Sequence, residues 1–437
     1  MADPAALATT RAEKLLALAT QGGATAAEVY LSASHSQPVF FEANRLKQLE
    51  SAESLGTALR LWRGGRPGLA VAYGDFDPAQ LVEKALALAA LNEPEPMELA
   101  AAQTLTFPSL GTAVAVETLI ADGRAAIAQL RAAYPEVLCS AELECEQTTT
   151  LLLNSQGLHC RTTDISLSAY LGVEWVRGEN FLGIYEGQDA RDQLQVSELV
   201  AAIRQRLDWA QDNVPAPTGR IPVIWTDKAA GLFWSAIEAA TNGKRLLERS
   251  SPWSESLGQP VLDESLTLRQ LPDRGPYSCP VDDEGTLTQA LDLVREGRFV
   301  QAYCDRVTGR QLQQASTGNG FRPSLSRYPT PGLVNLCVEP GTGSWQDWLG
   351  ELDQALLVDQ ILGGGPDSSG DFSINVDLGY RLEKGAIVGR VKDTMVAGNV
   401  YTALAQDLRL AGDRAWHGSY YTPALLVQGL SVTAAQA

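Results

Sequence analysis

Histidine is nearly missing from this sequence. His35, His159 and His417 are the only three among 437 residues, so a metal centre built on imidazoles has almost nothing to draw on. Positive charge is scarce as well: 34 Lys and Arg stand against 52 Asp and Glu, a net charge of −18. Such a surface repels phosphate backbones and anionic lipid, which excludes nucleic-acid binding through a basic face. No segment approaches the roughly twenty consecutive apolar residues that cross a bilayer. The opening Met1-Ala2-Asp3-Pro4 carries neither a basic region nor a long apolar run, so no signal peptide is expected and a cytoplasmic protein is. Six cysteines, Cys139, Cys145, Cys160, Cys279, Cys304 and Cys337, show no C-x-x-C spacing, which predicts free thiols rather than zinc ribbons or redox pairs. Short-period repeats and low-complexity tracts are also missing.

What is present reads as α+β. The length exceeds a usual single core and predicts two domains. Residues 1–212 are expected to form a helix-and-strand domain, and residues 220–437 a largely antiparallel, β-rich one, joined by a segment carrying Pro215 and Pro217. In the first half a helix is predicted over 5–22, then strands over 27–33, 38–42, 57–62 and 68–73. The last two flank Arg63-Gly64-Gly65-Arg66, a hairpin turn. Asp77-Pro78 is a cap followed by proline at the first helical position, and a further helix is expected over 116–134. Residues 91–112, rich in Glu, Pro and Ala, predict a surface crossing. From Val137 the pattern alternates with period two through turns at 154–157 and 177–180, an antiparallel meander, before a helix over 196–210. Hairpins are expected around Arg295-Glu296-Gly297 and Lys384-Gly385, and Ser344 is expected to cap a helix carrying Trp345 and Trp348.

The most informative stretch runs from Ile221 to Arg249. A β-branched run through Trp225 meets Thr226-Asp227, good N-cap chemistry, and Ala229, Ala230, Phe233, Ile237 and Ala240 then recur at helical spacing. A helix of roughly four turns is predicted, ended by Asn242-Gly243 in the left-handed region. Downstream stand Asp282-Asp283-Glu284-Gly285-Thr286, Ser316-Thr317-Gly318-Asn319-Gly320, Gly363-Gly364-Gly365, Ser369-Gly370-Asp371-Phe372 and Val396-Ala397-Gly398-Asn399. In their order and spacing these segments resemble the TldD/PmbA peptidases, historically described as gyrase modulators; the acidity of this chain lends no support to DNA contact.

The resemblance carries a specific implication. Metal-bearing members have H-E-x-x-x-H on the helix, and here its two histidines fall on Ser235 and Ala240 and its glutamate on Ala236. Metal-dependent hydrolysis needs imidazole or thiolate for the zinc and a carboxylate for its water, and alanine supplies neither. The family's late cysteine ligand has no counterpart, since no cysteine follows Cys337. The chain therefore resembles the PmbA (TldE) side of the family, with no metal and no catalytic residue of its own. The resemblance implies a TldD-like metal-bearing partner that carries the zinc and unfolded peptides as substrate; a homodimer is the alternative for the chain in isolation.

Each remaining candidate competes with an ordinary explanation. His159 and Cys160 are neighbours on a predicted strand and so face opposite ways, which argues against a shared metal. His417 lies near where the family's cysteine would fall, yet a partnerless loop histidine is usually a surface group. Ser235 lacks an adjacent base, although Glu238 lies one turn on. Asp282, Asp283 and Glu284 read as a solvated acidic turn more readily than as a carboxylate cluster. The Ser316–Gly320 loop lacks the lysine and helix of a P-loop. Gly363, Gly364 and Gly365 suit a close backbone approach, with a strand edge that takes an extended peptide; a flexible connection explains them equally. Two other functions stay open: a partner-free peptide-binding or regulatory module without hydrolytic activity, and an independent hydrolase using Ser235 or a metal site assembled from His417 and distant carboxylates.

Overall fold

The computed structural model describes residues 4–434. Its first half comprises α1 (Pro4–Gln21), β1 (Ala26–Ser36), β2 (Val39–Glu42), β3 (Arg45–Leu49), β4 (Ala52–Arg63), β5 (Arg66–Tyr73), α2 (Pro78–Ala89), β6 (Gln103–Thr106), α3 (Val116–Ala133), β7 (Leu138–Asn154), β8 (Leu158–Arg177), β9 (Asn180–Ala190) and α4 (Val196–Trp209). Local chemistry sets many of these boundaries. Asp77 accepts the Ala79 N–H ahead of a proline at the start of α2, and Gly64 and Gly65 both take positive φ in the β4–β5 turn. The strands form one sheet in the order β3-β2-β7-β1-β4-β5, with β8 continuing outward from β7 to β9 and β6. Odd-numbered residues of β7, from Cys139 to Leu153, face the helices: α3 and α4 cover one end of that face, α1 and α2 the other. Leu152 and Cys160 on the opposite face meet Val281 from the second half.

The crossing at 91–112 differs from expectation. Gln103–Thr106 forms β6, which pairs in parallel with Leu158–Arg161 at the start of β8. An Asp212–Val214 segment expected to be a linker is tied to the second half: Val214 N–H donates to the Arg390 carbonyl at 2.8 Å, and Arg390 N–H to that of Asp212 at 2.8 Å.

The second half comprises β10 (Gly219–Trp225), α5 (Gly231–Thr241), α6 (Gly243–Leu247), β11 (Leu268–Gln270), β12 (Leu291–Arg295), β13 (Arg298–Phe299), α7 (Arg306–Gln311), β14 (Gly320–Phe321), β15 (Thr330–Pro331), β16 (Leu336–Val338), β17 (Gln354–Leu362), β18 (Asp371–Glu383), β19 (Ala386–Val391), β20 (Thr394–Asn399), α8 (Val400–Ala403), β21 (Leu408–His417) and β22 (Tyr420–Ala434). Five of these strands close on themselves: β10 pairs β17, β17 pairs β18, β18 pairs β20, β20 pairs β22, and β22 pairs β10 again. The ring leaves its members without a free edge over the paired stretches. Side chains alternate between two cores. Val223 and Trp225 pack with α5, whereas Ile224 joins Leu357 and Leu426 in a core shared with α3 and α4 of the first half. Ser344 does cap a helical turn, and the turn buries Trp348, but it is a short 3-10 segment over Trp345–Glu351.

Candidate functional site

The site follows from how β10 hands over to α5. Trp225 ends the strand fully buried, and the Thr226 hydroxyl accepts the Ala229 N–H at 3.3 Å while its carbonyl accepts that of Ala230 at 2.9 Å. That extra turn makes α5 eleven residues, about three turns rather than four. Leu232, Phe233, Trp234, Ala236, Ile237, Ala240 and Thr241 are buried, and the Trp234 indole N–H donates to Thr422 at 2.6 Å, fixing the helix to β22. Asn242 does not end the helix in the left-handed region. At φ −69 it caps α6 instead, its side chain accepting the Lys244 and Arg245 N–H groups.

Ser235 lies exposed on α5, and its hydroxyl donates to the Leu232 carbonyl at 2.9 Å. Together with Ala236 and Ala240 it lines a surface recess of about 340 Å³, completed by Arg245, Asp367 and Tyr401. These residues do not fit a zinc ion. They offer a hydroxyl committed to its own helix and two methyl groups, and among the described residues no three His, Cys, Asp or Glu side chains form a metal-binding group. Nor does Ser235 gain a base from Glu238. Burial raises that carboxyl above its ordinary range, and the Tyr420 hydroxyl occupies it at 2.7 Å.

His417 is no solvated loop residue. It ends β21 half-buried, with Nε2 3.2 Å from an Asp227 carboxylate oxygen in the β10–α5 turn. Burial alone would raise Asp227, but the His417 hydrogen bond and charge, with Arg206, hold it below its usual value. Beside it Lys228 joins a buried network. Arg206 of α4 approaches Asp359 of β17 at 2.9 Å and Glu186 of β9 at 3.2 Å, and the Lys228 ammonium lies 3.4 Å from Glu186 and 3.1 Å from the Gln360 amide oxygen. Two cations and two carboxylates from four elements thus fix α5 against the first half. No sequence pattern points to this grouping, because its members are separated by up to 173 residues along the chain, from Glu186 to Asp359.

The acidic segment corrects an expectation. Asp282, Asp283 and Glu284 do make a turn, but Asp282 and Glu284 are 3% and 2% exposed. Asp282 accepts N–H groups from Glu284, Thr286 and Gly320, and Glu284 accepts that of Arg306 at 2.8 Å. Burial pushes Asp282 up to about 7 and Glu284 up to about 8, the latter helped by the Asp282 charge. Asp282 and Asp283 also line a cavity of about 400 Å³ with Tyr30, Thr150, Arg191 and Cys279, between the two halves.

Of the other candidates, His159 and Cys160 do share β8, and Cys160 is buried in a small apolar core. All six cysteines are free. In the Ser316–Gly320 loop Thr317 and Asn319 are buried and bonded to Cys304 and Gln270, which makes it a structural loop. Gly363, Gly364 and Gly365 form an exposed connection between β17 and β18. Gly364, at φ +85, lies so close to β18 that an added Cβ would meet the Ser373 carbonyl at 2.6 Å.

The chain belongs to the PmbA/TldD metallopeptidase family. Residues 218–434 match the PmbA/TldA metallopeptidase C-terminal domain, and residues 27–89 match PmbA/TldA metallopeptidase domain 1. Among individual relatives, Metalloprotease TldD homolog of Haemophilus influenzae is 28% identical over 236 residues, 52% of this chain and 46% of that protein. Metalloprotease PmbA homolog of the same organism is 27% identical over 220 residues, 49% of this chain and 46% of the relative. These alignments thus span about half the length of the relatives, whereas a Metalloprotease of Methanothermobacter thermautotrophicus aligns over 86% of both chains at 21% identity. TldE from Thermococcus kodakarensis shares the fold, with a TM-score of 0.89 at 23% identity over 97% of this chain and 100% of that one. No helix among the described residues is long and apolar enough to cross a membrane.

Proposed function

We propose that this chain is the non-metal-binding subunit of a cytoplasmic TldD/PmbA-type metallopeptidase that cleaves unstructured peptides. One observation carries the reading: the α5 positions that bear ligands and a catalytic carboxylate in metal-bearing relatives hold a self-bonded hydroxyl and two methyls. In this proposal zinc belongs to a TldD-like partner, where it would supply the activated water of amide hydrolysis. The residues here hold and shape. The network of Arg206, Glu186, Lys228 and Asp359 fixes α5 rigidly, the recess beside Ser235 receives part of the peptide, and the Gly363–Gly365 loop admits backbone closely. A division into domains of residues 1–212 and 220–437 belongs to the same proposal.

The test is reconstitution. The purified chain is expected to bind no stoichiometric zinc and to leave an unfolded casein-type substrate intact, while addition of an H-E-x-x-x-H-bearing family member yields chelator-sensitive cleavage. Cleavage by the isolated chain that chelators abolish would refute the proposal. Peptide binding with no partner recovered from the native cell would favour a solitary binding module.

A further inference from the structure

We infer that the recess at Ser235, Ala236 and Ala240 is a carboxylate site, with the Arg245 guanidinium as its cation. The observation is a guanidinium without a hydrogen-bonded partner, although its charge is felt by the Glu238 carboxyl. Arg206 and Arg322 are largely shielded and paired with carboxylates, whereas among the described residues the Arg245 side chain makes no hydrogen bond and no ion pair within 4.0 Å. Its backbone is nevertheless anchored. Asn242 accepts the Arg245 N–H at 3.4 Å, and the Arg245 carbonyl accepts the Ser250 N–H at 2.9 Å and that of Ser251 at 3.3 Å. The anchored backbone places that guanidinium at the wall of the recess, where its planar fork can meet an anionic ligand.

Local charge points the same way. In a chain of net charge −18, residues 244–249 carry Lys244, Arg245 and Arg249 against Glu248, and Glu248 is already 4.0 Å from Lys244. The guanidinium has five donors and no acceptor, and its planar fork matches a carboxylate in two parallel hydrogen bonds. Across the recess Asp367 is held below its usual range by the Ser369 hydroxyl. It lies in open solvent, where its repulsion is screened, and its second oxygen remains an acceptor for an N–H. A carboxylate with an amide N–H beside it is the chemistry of an acylated terminal residue or of an aspartyl side chain. Ala239, Ala240, Pro252 and Pro366 wall the space between, and about 340 Å³ lies at the small end of ligand pockets, room for one residue with a short side chain. The inference rests on the proposed peptide-binding role only for what the carboxylate is attached to.

The experiment uses small probes on the full chain. N-acetylalanine, N-acetylalaninamide and N-acetylaspartic acid α-amide, whose single carboxylate is that of the side chain, are titrated by ligand-observed NMR at low and high salt. The wild-type chain is expected to prefer N-acetylalanine over its amide on the order of tenfold at low salt, less at high salt. Arg245→Gln is expected to bring that preference to about twofold or less, and Arg245→Lys to keep part of it, since lysine keeps the charge without the fork. Arg245 is exposed, and unchanged circular dichroism of both variants shows that the fold is kept. Side-chain carboxylate binding equal to that of N-acetylalanine, and equally lost in Arg245→Gln, assigns the site to acidic residues in general; weaker binding assigns it to chain termini. Equal binding of N-acetylalanine and its amide by the wild type, or an undiminished preference in Arg245→Gln, would overturn the inference. These probes need no partner, so a failed reconstitution leaves this result standing, and the reverse holds as well.

Discussion

Replacing Glu284 with glutamine is expected to stabilise the protein at pH 8 while changing little at pH 5. Glu284 is 2% exposed, and burial, reinforced by the Asp282 charge and opposed by the Arg306 N–H, pushes its carboxyl from 4.5 up to about 8. The folded chain therefore keeps a proton that the unfolded chain gives up near its ordinary value. Stability falls as pH climbs through that interval and levels off above it. The interval is roughly 3.5 pH units wide, and at about 1.36 kcal/mol for each the cost at pH 8 is on the order of 5 kcal/mol. Glutamine cannot ionise, and its carbonyl oxygen still accepts the Arg306 N–H that Glu284 accepts at 2.8 Å. Urea unfolding followed by tryptophan fluorescence at pH 5, 6, 7 and 8 reads the difference directly. The curves of stability against pH should converge at pH 5 and separate by several kcal/mol at pH 8. Parallel curves, or a variant less stable at pH 8, would refute the reasoning. Asp282→Asn is the contrasting variant: it also removes an ionisation cost, since burial pushes Asp282 up to about 7, but one amide oxygen cannot serve all three backbone N–H groups, so it should lose stability at pH 5 and gain less than Glu284→Gln at pH 8.

Two further outcomes test other parts of the structure. Asp359→Ala strands Arg206 and Lys228 with a single carboxylate, Glu186, and is expected to cost about 3–5 kcal/mol in urea unfolding; a loss under 1 kcal/mol would show that solvent already screens the network. Gly364→Ala forces a Cβ against the Ser373 carbonyl at φ +85 and should cost roughly 1–3 kcal/mol, whereas Gly365→Ala, with open space around it, should be neutral; equal effects would mean that the loop is not held where it lies.

Elements fixed by local chemistry were legible in the sequence. The Asp77 cap, the Gly64-Gly65 turn and the period-two run from Leu138 onward all specify their geometry within a few residues, and the structure has each of them. What escaped depends on distant partners. Gln103–Thr106 becomes a strand only because Leu158–Arg161 lies alongside, and strands of two or three residues such as β11, β13, β14 and β16 are too short to show a period. The turn at Asp282 was readable, but its burial is imposed from elsewhere: Gly320 bonds to Asp282, and the Leu158 side chain crowds Gly285. Asn242 was readable as a boundary but not as the start of α6, since either role suits its side chain. At the candidate site, Ser235, Ala236 and Ala240 lie on α5 as expected, while Arg245 and the pairing of His417 with Asp227 carried no sequence signal.

The closure of the five-stranded ring also governs how the chain reaches this state. Its seam joins Gly219–Trp225 to partners between Leu425 and Val432, some two hundred positions later. Tethering ends so far apart adds little to the equilibrium cost, because that penalty grows only logarithmically with length. Kinetically it matters more, since pairings of such wide separation form late and leave greasy strand borders bare meanwhile. Refolding from denaturant should accordingly be slow and should yield less native material as protein concentration rises, a dependence that light scattering during dilution would reveal.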